Sequence, residues 1–104
     1  MTKKTLTLSV PHRLTQDEAR ARIAAGVTEA RDKYAGSFAK VEDRWAGNHM
    51  DFYVGVLGQS VTGRVEVGSE AVHVEVDLPW ILAALAERVR PQIQDQTRKM
   101  LEAR

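Results

Sequence analysis

The chain has 104 residues, 43% apolar and 28% charged, with a formal net charge of +1; this fits one domain over 1–104, since a single core extends to roughly 100–150 residues, and it excludes disorder. Near-equal counts of 15 basic and 14 acidic residues argue against a nucleic-acid binder, and zero cysteines exclude disulfides, thiolate metal sites and a cysteine nucleophile. The longest clean apolar run, Ile81–Ala86, falls far short of the roughly 20 residues that a membrane-spanning helix needs.

Residues Thr5-Leu-Thr-Leu-Ser-Val10 alternate polar and apolar, the pattern of a half-buried strand, and Pro11 ends it. Thr15-Gln-Asp-Glu18 then predicts a capping box opening a helix, with Leu14 and Ala19 spaced as a hydrophobic staple. The stripe Ala19, Ile23, Val27, Ala30, Tyr34 carries that helix to a stop at Gly36, and Gly26 inside it costs up to about 1 kcal/mol relative to alanine.

Four short strands follow. Gly47-Asn48 and Gly58-Gln59 each read as a two-residue turn with glycine first, where a positive φ is required. The resulting register sets Val41 opposite Val54 and Trp45 opposite Met50 in the first hairpin. In the second it sets Val56 opposite Val61, Val54 opposite Gly63, Phe52 opposite Val65, and Met50 opposite Val67. A connection around Gly68–Ala71 places Val67 opposite Val72 and Val65 opposite Val74. All apolar positions then share one face; Asp43 joins them, as a bulge or an edge would allow. A one-residue slip would invert every face, so the agreement among strands supports the register.

Pro79 suits the first position of a last helix with an apolar face of Leu82, Leu85, Val89, Ile93 and Met100, flanked by Ile81 and Leu101. Pro91 predicts a kink or short break. The expected fold is a two-layer α+β domain, β-α-β-β-β-β-α, with both helices on one face of an antiparallel sheet. The first strand lies beside the last, and the second strand forms the other edge.

On the polar face this register yields one row of Arg44, Asp51, Glu66 and His73, and another of Glu42, Tyr53, Arg64 and Glu75. Asp51, Glu66 and His73 are weak candidates for a metal site, because paired carboxylates beside a histidine can share a proton or a cation. An alternating-charge surface is the simpler reading, and a lone histidine is a poor zinc signature. His12 and His49 read as solvated residues at a strand end and in a turn. Ser60 in Gly58-Gln-Ser-Val-Thr62 lacks the second glycine and the strand-turn-helix context of a nucleophile elbow, and no phosphate loop occurs. No catalytic residue and no cofactor is expected. Charge is segregated: residues 1–34 carry 7 basic and 4 acidic groups, 35–78 carry 3 and 7, and 79–104 carry 5 and 3. A solvated face is the simpler reading of this basic helical surface, and an anionic partner or lipid coat is the functional one. Trp45, Trp80 and Phe38 lie near element ends, where amphipathic rings suit interfaces and equally well cap a core; Trp45 and Trp80, with Tyr53 and Arg64 on the polar face, are the candidate binding residues.

Several segments resemble a known family: Leu14-Thr-Gln-Asp-Glu-Ala-Arg20, Trp45-Ala-Gly47 leading to Phe52, Val61-Thr-Gly-Arg-Val-Glu-Val67, and Val72-His-Val-Glu-Val-Asp-Leu78 running into Pro79-Trp-Ile-Leu82, with Ile93 and Leu101 in the last helix. Together they are similar to the small bacterial polyhydroxyalkanoic acid system proteins over almost the whole chain, through structural rather than catalytic motifs. The resemblance implies a non-enzymatic accessory protein associated with polyhydroxyalkanoate granules or their metabolism. Its partner would be the granule surface or a granule-associated protein. Contact through helix ends and exposed aromatics is favoured, because an inserted helix would need the stripe that also builds the core. With no apolar segment behind its N-terminal lysines, the chain is expected in the cytoplasm. Two alternatives stand beside this: a helix-grip module enclosing an acyl chain or hydroxyacid, and a metal-assisted hydrolase built on Asp51, Glu66 and His73. The exposed edge of the second strand also offers a surface for a homodimer.

Overall fold

The computed structural model describes residues 4–34, 39–56 and 58–102. Strands β1 (Lys4–Pro11), β2 (Ala39–Ala46), β3 (His49–Val56), β4 (Gln59–Val67) and β5 (Ala71–Leu78) form one antiparallel sheet in the order β1-β5-β4-β3-β2. Helix α1 (Gln16–Tyr34) lies between β1 and β2 in the chain, while α2 (Trp80–Ala83) and α3 (Ala86–Glu102) follow β5. The helices roof one side of the sheet: α1 packs on β2 and β4, α3 packs on β1, and the two touch each other. This is the expected α+β class, with β1 beside β5 and with β1 and β2 as edges.

The sheet has one apolar face because its strands alternate with period two. Leu6 and Val10 of β1, Met50 of β3, Val65 and Val67 of β4, and Val72, Val74, Val76 and Leu78 of β5 are all buried, beneath Ala19 and Ile23 of α1 and Ala86 and Leu101 of α3. The expected capping box opens α1: Glu18 N–H donates to the Thr15 hydroxyl at 3.1 Å, and Thr15 N–H donates to the Glu18 carboxylate at 3.3 Å. Gly26, which lowers helix propensity, has a packing role. Met100 of α3 lies where a Cβ at this position would stand, so the missing side chain lets the two helices approach. The expected helix stop at Gly36, like Phe38, lies outside the described residues.

Asp43 falls on the apolar face without a bulge. Arg31 of α1 reaches over the edge strand to within 2.5 Å of its carboxylate, which is only 12% exposed. A charge partner carried by the roof thus satisfies this acid beneath it.

Two expectations are corrected. The first hairpin has the predicted pairs, Val41 with Val54 and Trp45 with Met50, around Gly47 at φ 62°, and the last has Val67 with Val72 and Val65 with Val74. The β3–β4 hairpin is offset by two residues: Val56 faces Gln59, Val54 faces Val61, Phe52 faces Gly63, and Met50 faces Val65. Gly58, at φ 80°, therefore takes the second position of its turn rather than the first. A two-residue slip leaves every side chain on its expected face, so hydrophobic alternation cannot detect it. The observed register is fixed by fit. A Cβ at Gly63 would collide with the Phe52 ring and with the Glu75 carbonyl, so the glycine makes room for the ring opposite it.

The last helical segment breaks at Ala84–Leu85 and runs through Pro91. Pro79 serves as the cap preceding α2 rather than as its first residue, and Leu85 N–H bonds back to Leu82 at the tighter i→i+3 spacing. Pro91 is exposed on α3, where the hydrogen bond it cannot donate leaves only one carbonyl to be met by water. The break resets the helical phase. Ala86 enters the core at 1% exposure, while Leu85, expected to face inward, is 42% exposed.

Candidate functional site

With the helices covering the apolar side, polar residues of all five strands are gathered on the outer face of the sheet. The two-residue offset re-sorts them. One row runs Arg44, Asp51, Arg64, Glu75, alternating in sign across four strands. Beside it Glu42, Tyr53, Thr62 and Asp77 form a second row, while His49, Glu66 and His73 form a third. The predicted neighbours Asp51 and Glu66 are thereby separated, and each carboxylate instead faces a basic residue: Asp51 faces Arg64, and Glu66 faces His49.

Arg64 is the hub. Its Nε donates to Glu75 at 2.8 Å and its terminal nitrogens donate to Asp77 at 3.0 and 3.2 Å. Hydrogen bonds to Asp77, then Glu75, raise its pKa further above neutrality. Asp77 also accepts from Thr5 at 2.9 Å and Thr62 at 3.4 Å, so the carboxylate of β5 is tied to both strands beside it, β1 and β4.

His49 is the residue that the sequence reading passed over. Its Nδ1 meets the Glu66 carboxylate, and its Nε2 lies 2.9 Å from Asp51. The hydrogen bond to Glu66, followed by that to Asp51, holds its pKa above the ordinary histidine value. The i, i+2 spacing of His49 and Asp51 along one strand face was the available signal, and its cross-strand partner required the observed register. His73 bonds instead to Ser9 of β1 at 2.6 Å. Among the described residues, no group of three or more histidine, aspartate or glutamate side chains is placed to hold a metal ion. His12 is a clamp rather than a solvated residue. It accepts from Leu14 N–H at Nδ1 (3.1 Å), so its Nε2 donates to the Gly68 carbonyl (2.9 Å) and ties the entry of α1 to the β4–β5 turn.

Of the four candidate binding residues, Trp45 is not brought together with Tyr53 and Arg64. Tyr53 and Arg64 share the outer face, with the Tyr53 hydroxyl 3.4 Å from Ser60. Trp45 lies on the opposite, helix-covered face, packed against the core with the Arg20 guanidinium 4.5 Å above its ring. Trp80 begins α2, and its side chain lies outside the described residues.

The α2–α3 junction supplies a different surface. Leu82 packs inward against the core, while Ile81 and Leu85 on the same turn are 51% and 42% exposed, the large aliphatic side chains most open to solvent among the described residues. The adjoining first turn of α3 carries Glu87 and Arg88, both exposed. Arg90 is fixed on Glu87 at 3.1 Å and on the Thr7 carbonyl of β1 at 2.6 Å, holding this corner against the sheet.

Two open depressions mark the surface. One, of about 480 Å³, lies on the outer face among Ser9, His49, Arg64, Glu66 and His73. The other, of about 510 Å³, follows the β2 edge past Arg31, Val41, Glu42, Asp43 and Arg44. The first opens on the face away from the helices, whereas the second is lined from both faces of β2 and β3 and by Arg31 of α1. No helix among the described residues is long and apolar enough to cross a membrane.

No curated protein matches the chain. The profile of the family described as putative polyhydroxyalkanoic acid system proteins matches residues 6–101, a span that includes every strand but the first two residues of β1, the whole of α1 and α2, and all but the last residue of α3. The capped first helix, the glycine turns, the alternating valines and the Pro79-led corner all lie within it, and the chain belongs to this family of the polyhydroxyalkanoic acid system.

Proposed function

We propose that the protein is a non-enzymatic, cytoplasmic accessory protein of polyhydroxyalkanoate storage granules, acting by binding the granule surface or a protein seated on it. The observation that carries this reading is family membership over residues 6–101. The geometry supports it in a specific way. A granule is an apolar polymer beneath amphiphiles, and insertion of α1 or α3 would strip the core of Ile23 or Leu101, both nearly fully buried. The α2 turn carries no such conflict, because Leu82 serves the core while Ile81 and Leu85 point outward, and a small apolar patch beside charged residues suits a boundary of this kind.

Co-sedimentation with purified granules tests the reading. The full chain is expected to pellet with granules, and the double variant Ile81→Asp, Leu85→Asp to remain in the supernatant with unchanged circular dichroism. Granules stripped of protein separate direct contact from contact through a partner: retained binding assigns the polymer surface, and lost binding assigns a granule protein. A wild-type chain left wholly in the supernatant under polymer-producing conditions would overturn the function.

A further inference from the structure

The two edges of the sheet are finished differently. In an antiparallel pair, alternate residues direct both backbone groups toward the neighbour and the rest direct them away. On β1 the outward set is Thr5, Thr7, Ser9 and Pro11. Arg90 of α3 occupies the Thr7 carbonyl, and Pro11 has no N–H, so this edge is blunted. On β2 the tight Gly47-Asn48 turn makes Ala46 and His49 the closing bonded pair, and the bond from Val67 N–H to the Asn48 carbonyl on the other side of β3 agrees with this phase. Val41, Asp43 and Trp45 of β2 therefore point their N–H and C=O groups away from β3, and among the described residues β2 has no other strand beside it.

We propose that β2 is the edge through which two copies of this chain join, antiparallel about a twofold axis at Asp43, fusing their sheets into one. The inference stands apart from the granule reading. Charge sets the register. With Asp43 facing its own copy, Glu42 of each chain faces Arg44 of the other on the outer face, twice by symmetry. On the inner face Val41 meets the second copy's Trp45. Moving the axis to Glu42 or to Arg44 would oppose like charges there, and Lys40 would also face Arg44 in the first case. Moving it to Val41 keeps a Lys40–Glu42 match but leaves Arg44 and Trp45 beyond the paired segment. The two Asp43 carboxylates at the axis are each already held by an Arg31 at 2.5 Å, so the centre of the contact is a neutral quartet and the acid on the apolar face acquires a use. The present ion pair of Glu42, with Lys40 at 3.6 Å, joins two exposed side chains and is readily exchanged.

Sedimentation velocity on the full chain decides the matter. The wild type is expected to be a dimer that weakens with salt. Glu42→Arg or Arg44→Glu alone should weaken association at least about tenfold, because each creates two like-charge contacts, and the double variant Glu42→Arg, Arg44→Glu should restore it. Val41→Pro removes an outward N–H that β3 does not use; it should abolish the dimer while leaving circular dichroism and unfolding near wild type. A wild type that stays monomeric at its highest attainable concentration overturns the proposal, as does a dimer indifferent to the single charge reversals.

Discussion

The inner and outer faces of the sheet are built from the same strands under different rules. Inside, Val65, Val67, Val72, Val74 and Val76 present near-identical side chains at near-equal burial, and burial rewards any of them for facing inward, whichever neighbour it meets. Outside, Arg64 needs Glu75 and Asp77, and His49 needs Glu66, so each contact depends on a particular partner. Burial therefore selects a face, while polar pairing and the Phe52–Gly63 fit select a register. The energies run opposite to the specificity: the interchangeable contacts are the strong ones.

Substitutions can break that contrast. Leu6 is fully buried, and Leu6→Ala should cost about 2–5 kcal/mol in urea unfolding; a loss below about 1 kcal/mol would mean that the inner face is not the core. Gly63→Ala probes the point where the inner face does specify a partner. The added methyl meets the Phe52 ring and a main-chain carbonyl, so a loss of about 1–3 kcal/mol is expected, and a Phe52→Leu background should recover part of it. On the outer face Arg64→Met removes three hydrogen bonds, yet its partly exposed pairs predict a loss of at most about 1 kcal/mol. A larger loss would show the polar network to be structural in its own right.

The smallest effect is a pH dependence. The folded pKa of His49 is raised above 6.5 by Glu66 and Asp51, so its stabilisation is fully present below 6.5 and is lost as pH rises through the folded value. Imidazole resonances should titrate above 6.5 in the wild type and closer to 6.5 in Glu66→Gln. The stability difference between the two proteins should shrink on passing from neutral to alkaline pH.

The valine alternation was enough to read the α+β class, the strand order and the membership of each face from the residues, and the Thr15–Glu18 box located the start of α1. The β3–β4 turn was not legible at that level. A glycine of positive φ fits either position of a two-residue turn, and the two choices differ by a slip that no alternation detects; the deciding contact, Phe52 over Gly63, exists only after folding. The helix break was hidden similarly. Leu82, Leu85 and Val89 continue a helical stripe by hydropathy, and only the burial of Ala86 in place of Leu85 in the folded chain reveals the change of phase. Of the polar site, the face was legible and the neighbours were not. The partnership of His49 with Glu66 follows from the turn, and the exposure of Ile81 and Leu85 follows from the break.

The pairing of β1 with β5 carries a consequence for synthesis. Pro11 lies opposite Ala71 and Lys4 opposite Leu78, so during synthesis β1 must wait at least sixty residues for its hydrogen-bonding mate. Until then Leu6 and Val10 lack their cross-strand partners, and of the sheet only the β2–β3 and β3–β4 hairpins can pair. Closure of the long loop between β1 and β5 is thus deferred until β5 is made, and Arg90 of α3, made later still, then covers the Thr7 carbonyl on the free side of β1.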